Sequence, residues 1–317
     1  MIAKIKKFGQ VISKSFKDFI ADDALKYSAS LSYYTVFSIA PVLIIIIGMA
    51  GIFFGEEAVS GEIFRQFSGL MGPNVAELIQ QAIKNVKLSG QSWTATIVGF
   101  LTLLIGATGV FAELQDSLNK IWSLKTTVKK GWLQYLINRL ISFSMVLTLG
   151  FLLMVSLLIN ALITLLSTRY LTVLNDWQWL SFIINNAIIL GIVTLLFAFI
   201  FKFLPDVRLR WANVASGAFF TAILFSIGKY LIGTYLSQSA IASAFGAAGS
   251  LALILLWVYY SSSILFFGAE FTKNYAVIFD KPVEADVYAT FVVTKEKELP
   301  SDANVGNVED IKDKQVK

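Results

Sequence analysis

The chain has no cysteine and no histidine, only 5 prolines in 317 residues, and only 15% charged side chains. Without cysteine there is no disulfide framework, no thiol nucleophile and no thiolate metal ligand. Without histidine there is no imidazole to act as acid or base near neutral pH, and no zinc or haem site that depends on one. Magnesium or calcium held by carboxylates alone would need a compact acidic loop, which is also missing, so no cofactor and no metal are expected. What is abundant is apolar. Hydrophobic residues make up 56% of the chain and lie in blocks of about twenty, the composition of an α-helical membrane protein.

Six blocks are long enough to cross ~30 Å of hydrocarbon as helices rising about 1.5 Å per residue. They run over Leu31–Phe54, Trp93–Ala112, Leu140–Leu166, Phe182–Phe201, Ala212–Leu236 and Ala247–Ala269. The second is diluted by Thr94, Thr96, Thr102 and Thr108, and the fifth alone holds an internal charge, Lys229. The first apolar block starts too far in, and is too long, to be the core of a signal peptide. Lysine and arginine set the orientation. Residues 1–30, 112–139 and 202–211 carry six, five and three, against three, one and none in 55–92, 167–181 and 237–246. Both termini are therefore expected in the cytoplasm. Trp93, Trp177, Trp179 and Trp211 fall near the predicted interfaces, where amphipathic rings are stable.

The expected fold is all-α: a polytopic membrane protein of six transmembrane helices with helical additions at each end. Residues 1–26 should form a cytoplasmic amphipathic helix in the headgroup plane, with Ile5, Phe8, Ile12, Phe16 and Phe19 as its apolar stripe and Lys4, Lys7, Lys14 and Lys17 mostly on other faces. The other reading of that stripe is packing on the protein's own cytoplasmic face. Residues 27–280 form the transmembrane domain. Its external loop, 55–92, carries two stripes broken at Gly72-Pro73-Asn74: Val59, Ile63, Phe67 and Leu70, then Val75, Ile79, Ala82, Ile83 and Val86. The polar stretch 281–317 reads as a disordered cytoplasmic tail.

Polar groups within membrane helices are costly, so they mark the candidate site. Lys229 either snorkels to the outer headgroups or faces an internal cavity. Glu270 ends the sixth span behind Ser261, Ser262 and Ser263 and before Lys273. Glu113 and Asp116 sit at the equivalent end of the second span, on one helical face with Lys120, and Arg139 opens the third. These groups read either as a salt-bridged inner rim or as an inner gate for a polar or anionic substrate. Tyr33 and Tyr34 belong to a hydroxyl-rich entry to the first span, followed by Pro41. Small residues four apart, at Gly51 and Gly55, Ala212 and Ser216, and Ala218, Ala222 and Ser226, predict close helix contacts and leave homo-oligomer contacts open.

The segments YSASLSYYTVFSIAPVL at 27–43, GATGVFAELQDSLNKIW at 106–122, LPDVRLRWANVASGAFFTAILFSIGKYLIGTYL at 204–236 and GAAGSLALILLWVYYSSSILFFGAEF at 246–271 together resemble the YihY / virulence factor BrkB family. The resemblance implies a six-helix bacterial inner-membrane protein. Members of that family are linked to serum resistance, lipopolysaccharide export and solute movement. The family's former ribonuclease label does not fit this chain, which lacks histidine, clustered metal-binding carboxylates and a stacking, basic RNA surface. No nucleic-acid partner is expected. The expected partners are membrane lipids, including anionic headgroups at the cytoplasmic face. The leading functional reading is an inner-membrane transporter or flippase-like protein for a lipid-linked or small polar solute. Its alternative is a non-catalytic envelope-complex scaffold or interaction protein. An intramembrane enzyme is the least supported, because no spacing fixes a nucleophile beside its base.

Overall fold

A computed structural model describes residues 2–71, 73–87, 109–126, 178–238, 249–279, 283–285 and 289–292. The third expected span, the start of the second and Arg139 lie outside the described residues. The elements in chain order are α1 (Ile2–Ala21), α2 (Ala24–Phe54), α3 (Glu56–Met71), α4 (Pro73–Lys87), α5 (109–121), β1 (Leu124–Thr126), α6 (Gln178–Phe203), β2 (Val207–Arg208), α7 (Trp211–Gln238), α8 (Gly249–Phe279), β3 (Glu284–Ala285) and β4 (Ala289–Phe291).

Among the described residues, three helices are long and apolar enough to cross a membrane, over Ala24–Phe53, Trp211–Tyr235 and Leu251–Phe279; the apolar stretch Ile189–Phe203 within α6 is shorter. The chain is thus an all-α, multi-pass membrane protein. Helix α8 is the central strut, packing along α7, α2 and α1, while α6 packs on α7. The hydroxyls of α2 do not break its ladder. Ser28, Ser32 and Thr35 each donate to a carbonyl three or four residues back in the same helix, as lipid-embedded hydroxyls do.

Two clusters fill the interior. One, at the α3–α4 end, joins Leu43, Ile46, Ile47 and Ala50 of α2 to Val59 and Ile63 of α3, Ile79 and Ile83 of α4, and Leu253, Ile254 and Val258 of α8. Val59 and Ile63 of the first expected stripe and Ile79 and Ile83 of the second are therefore turned toward the bundle. Gly55, with φ 82, makes the turn from α2 into α3, a backbone conformation that a side chain would strain. Gly51 packs against Glu56 at the start of α3, so Gly51 and Gly55 build this turn and not a seam between two long helices.

The second cluster, at the α1 end, joins Phe19, Ala24 and Leu31 to Leu114, Leu118, Ile121 and Trp122, to Phe197 and Phe201 of α6, to Val214, Ala218 and Ala222 of α7, and to Phe266 and Ala269 of α8. Helix α1 packs on α8 through Val11, Ser15 and Phe19, with Phe8 edge-on to Phe271 at 5.7 Å and Phe19 edge-on to Phe267 at the same distance. Packing of α1 on α8 is the other reading of its stripe. Its stripe is wide enough to serve two surfaces, since Ile12, Phe16 and Ile20 still point outward.

Within the stretch expected to be a disordered tail, residues 283–285 and 289–292 are described, and two short strands lie there. β3 pairs antiparallel with β2, setting Arg208 opposite Glu284, and β4 pairs antiparallel with β1, setting Leu124 opposite Phe291. The reason is local. Val283, Ala285 and Ala289 pack against the second cluster, giving this short polar segment an apolar foothold that its composition conceals.

Candidate functional site

Three polar positions on the last turns of α8, an acid, a base and an amide, fall on one face, and the chain folds two remote segments against them. Glu270, Lys273 and Asn274 follow at three- and four-residue spacing, so their side chains share one side of the helix. The turn between α1 and α2 brings Asp22 to that face. The C-terminus of α5 brings a free backbone carbonyl. Lys273 Nζ donates to Asp22 Oδ2 at 3.0 Å and to the carbonyl of Ile121 at 2.7 Å. Asn274 Nδ2 donates to Asp18 Oδ2 at 2.9 Å and to the Glu270 carbonyl at 3.1 Å.

Glu270 is 0% exposed. Its Oε2 lies 3.1 Å from Lys273 Nζ, but neither of its oxygens receives a well-directed hydrogen bond. Distance alone would make this an ordinary ion pair; the geometry makes it an incomplete one, and the angular criterion is the more telling for a bond inside protein. Asn274 Oδ1 and Ser117 Oγ are likewise buried without a partner among the described residues. Such groups carry a desolvation cost that a purely structural cluster would have shed.

A second polar clasp stands beside it. Asn119 of α5 donates through Nδ2 to Asp206 Oδ2 at 2.9 Å and accepts the Asp206 backbone N–H at 2.8 Å, while Gln115 Nε2 reaches Asp206 Oδ1 at 3.2 Å. This ties the end of α5 to the connection between α6 and α7. The sequence placed Asn119 just behind Glu113 and Asp116 but gave no sign of Asp206 beside it, nor of Asp22 beside Lys273. Asn119 and Asp206 stood in the 106–122 and 204–236 segments, but nothing in one dimension couples positions 87 residues apart.

The expected site residues separate into groups. Glu270 joins the cluster. Glu113 and Asp116 lie on α5, next to the clasp and not in contact with Glu270. Asp116 still reaches solvent, but partial burial first, and then the negative charges of Glu113 and Asp206, hold its carboxyl above the usual carboxylate range, with Lys120 opposing them. Lys120 itself lies over the Tyr27 ring, 4.8 Å from its centroid. Lys229 is half-buried on the flank of the packed face of α7, and it makes no ion pair or hydrogen bond to a described residue. It stands about 15 Å further along the helix pair than Glu270, so the two do not meet. Tyr33 and Tyr34, 59% and 42% exposed, lie on the outward side of α2, edge-on to each other and with Phe37 against Tyr33. Arg139 falls outside the described residues.

The seam between α7 and α8 has a tighter construction than the small-residue spacing predicted. A Cβ on Gly217 would sit 1.9 Å from Thr272 Oγ1, and one on Gly268 would sit 2.0 Å from Thr221 Oγ1. Each threonine donates to the carbonyl of the glycine one turn back in its own helix, Thr221 to Gly217 and Thr272 to Gly268. The two Gly–Thr pairs interlock antiparallel, each threonine filling the notch left by the other helix's glycine. Close approach of this kind replaces the hydrophobic force that lipid does not supply. Ala218 and Ala222 are buried at the same seam, as their spacing predicted, whereas Ala212 is exposed.

Among the described residues, no group of three or more acidic side chains is placed to hold a metal ion. The cleft between α3 and α4, lined by Phe64, Phe67 and Gln80, has no room for a solute.

The chain was compared with known proteins. The family model described as "Virulence factor BrkB" matches residues 15–283. The chain is 24% identical over 287 residues to a UPF0761 membrane protein of Stenotrophomonas maltophilia, covering 89% of this chain and 64% of that one. It is 26% identical over 266 residues to a UPF0761 membrane protein of Pseudomonas paraeruginosa, covering 81% and 60%. A UPF0761 membrane protein of Xanthomonas oryzae is 24% identical over 285 residues, covering 88% and 63%. The chain spans less than two thirds of the length of these relatives. No solved structure matches it. With the matched region running from α1 through α8 to β3, and enclosing the Asp22, Asp206 and Glu270 positions, the chain belongs to the virulence factor BrkB family of bacterial inner-membrane proteins.

Proposed function

We propose that this protein is an inner-membrane transporter or flippase-like protein for a lipid-linked or small polar solute, with the α1 end facing the cytoplasm and serving as its inner gate. Six spans complete the bundle in this reading, and both termini are cytoplasmic. The lysine and arginine count supports that orientation, since the segments at the α1 end carry the excess. The observation that carries the reading is the cluster of Glu270, Lys273 and Asp22. A fully buried carboxylate with incomplete pairing, at the end of a membrane helix, is expensive to keep, and membrane proteins keep such groups at working sites.

In this reading Glu270, Lys273 and Asp22 close the gate by joining α8 to the α1–α2 turn and to the end of α5. Glu113 and Asp116 line its rim. Arg139 supplies a further rim cation, Lys229 meets the polar part of the substrate nearer the other end, and Tyr33 and Tyr34 meet its apolar part along the outside of α2. Ile12, Phe16 and Ile20 of α1, with the surrounding lysines, rest on anionic headgroups. No step of this cycle is catalytic. Opening requires the α1–α2 turn and α5 to move away from α8 while the interlocked α7–α8 pair moves as one body.

The test is reconstitution of the purified chain into vesicles containing fluorescent phosphatidylglycerol, with a water-soluble quencher added outside. Faster exchange of labelled lipid than in empty vesicles is expected, and a small anionic dye trapped inside tests the solute alternative. Vesicles with folded protein that move neither probe faster than empty ones would refute the reading with these substrates. The scaffold reading is favoured by one observation: α7 leaves a long outward apolar face, through Phe219, Ile223, Ile227, Tyr230 and Leu231, available to partner helices.

A further inference from the structure

The Asp22–Lys273–Glu270 group contains an imbalance that an ion-pair gate does not explain. Asp22 Oδ2 and Glu270 Oε2 flank the same Lys273 ammonium, at 3.0 and 3.1 Å. Two carboxylates are both acceptors and cannot bond to each other. The ammonium of Lys273 directs its hydrogen bonds to Asp22 Oδ2 and to the Ile121 carbonyl, leaving both oxygens of Glu270 without a directed donor. Among the described residues, what this site lacks is one donor hydrogen between two close carboxyl groups. A proton on Glu270 supplies it. The neutral acid is also the form that burial favours, and the net charge of the buried group falls from two carboxylates and one ammonium to one of each.

The described residues around the site do not offer another way to balance the charge. On its own helix Glu270 faces Lys273; the α1–α2 turn contributes Asp22; Asp18 of α1 lies one turn away and is held by Asn274. From α5 comes only the Ile121 carbonyl, because Lys120 is turned onto the Tyr27 ring of α2. Helix α7 meets this part of α8 through Gly217 and Thr221, which carry no charge.

We propose that Glu270 is a proton-binding site: it holds one proton, shared with Asp22, while the cluster is closed, and releases it to water when the α1–α2 turn and α5 separate from α8. On release the O–H bond of Glu270 breaks, the proton leaves as hydronium through the α1 end, and the electron pair stays on the carboxylate. That carboxylate then takes the Lys273 N–H that the closed state leaves misdirected. The inference rests on the transport reading and adds to it a coupling ion, the proton.

Infrared difference spectroscopy on the full chain in lipid nanodiscs tests the site directly. At neutral pH the protein should show the carbonyl stretch of a neutral carboxylic acid, absent in Glu270→Gln and present in Glu113→Gln. No such band at neutral pH, or a band that survives in Glu270→Gln, would overturn the proposal. The absence of native cysteine permits a second readout. Ser15, fully buried beside Asn274, can be replaced by cysteine and labelled with a maleimide. Labelling should rise with pH more steeply than at an exposed control cysteine, and Glu270→Gln should remove the excess. Equal slopes with and without Glu270 would overturn the coupling of proton release to opening. Lipid exchange measured on the same preparations separates the two readings. An acid band without exchange keeps the proton site and refutes lipid transport, whereas exchange without the band refutes the proton site alone.

Discussion

The two ends of α8 are built on opposite principles. Toward the α3–α4 end its buried residues are Leu253, Ile254 and Val258, surrounded by aliphatic side chains of α2, α3 and α4. Toward the α1 end the same helix buries Glu270, Thr272 and Asn274 among groups drawn from α1, α5 and the turn before α2. Hydrocarbon packing alone would have made both ends alike. One end is a cap held by shape alone, and the other adds to its apolar cluster a small set of directed and partly unsatisfied polar contacts. A cap of the first kind loses stability gradually as its side chains are trimmed. At the second end the polar contacts can pass to water together, while the apolar packing around them sets the cost of opening.

The sharpest way to break this contrast is to remove the ammonium that holds those polar contacts. Lys273→Ala leaves Glu270 and Asp22 facing each other in a buried site, and should lower the unfolding free energy in mixed detergent by about 3–5 kcal/mol. Adding Glu270→Gln should restore part of that loss, because the amide fixes the neutral form at that position and keeps a donor toward Asp22; a double variant no better than the single one would show that Lys273 acts by packing. At the other end, Ile63→Ala should cost about 2–4 kcal/mol through the cavity it leaves under α3, while leaving lipid exchange per folded molecule unchanged. Loss of exchange there would mean that the cap moves too.

The smallest expected effect concerns pH. The folded protein holds the Asp116 carboxyl above its ordinary range, so folding favours its protonated form. Its contribution to stability is therefore fully present below the unfolded carboxylate pKa, and is lost as pH rises through the raised folded value. Asp116→Asn should flatten the pH dependence of unfolding across that window, and an unchanged profile would remove Asp116 from the rim's electrostatics.

How much of this was legible in the sequence follows the same division. The long apolar helices announced themselves by length, and the stripes at Val59, Ile63, Ile79 and Ile83 announced which faces the capping helices would bury. Those signals are periodic and local. Lys273 and Asp22 are 251 positions apart, and a hydrogen bond across that distance leaves no periodic trace. Tyr33 and Tyr34 were grouped with Ser28 and Ser32 because all carry hydroxyls, yet the serines face inward and bond their own helix, while the rings face outward. The α7–α8 seam was half legible. Alanines four apart gave Ala218 and Ala222, but the matching signal, glycine followed four residues later by threonine at 217–221 and again at 268–272, needed the two helices to be compared with each other.

The account turns on Glu270 being kept for work and not for strength. Lipid exchange and unfolding should be measured together on Glu270→Gln, in vesicles with the amount of folded protein matched to the unchanged chain. The account predicts stability at least equal to that of the unchanged chain, because the amide preserves the neutral, donating form that Glu270 holds in the closed cluster, together with loss of exchange. Exchange at the original rate, accompanied by lower stability, would contradict it and make the cluster a structural tie.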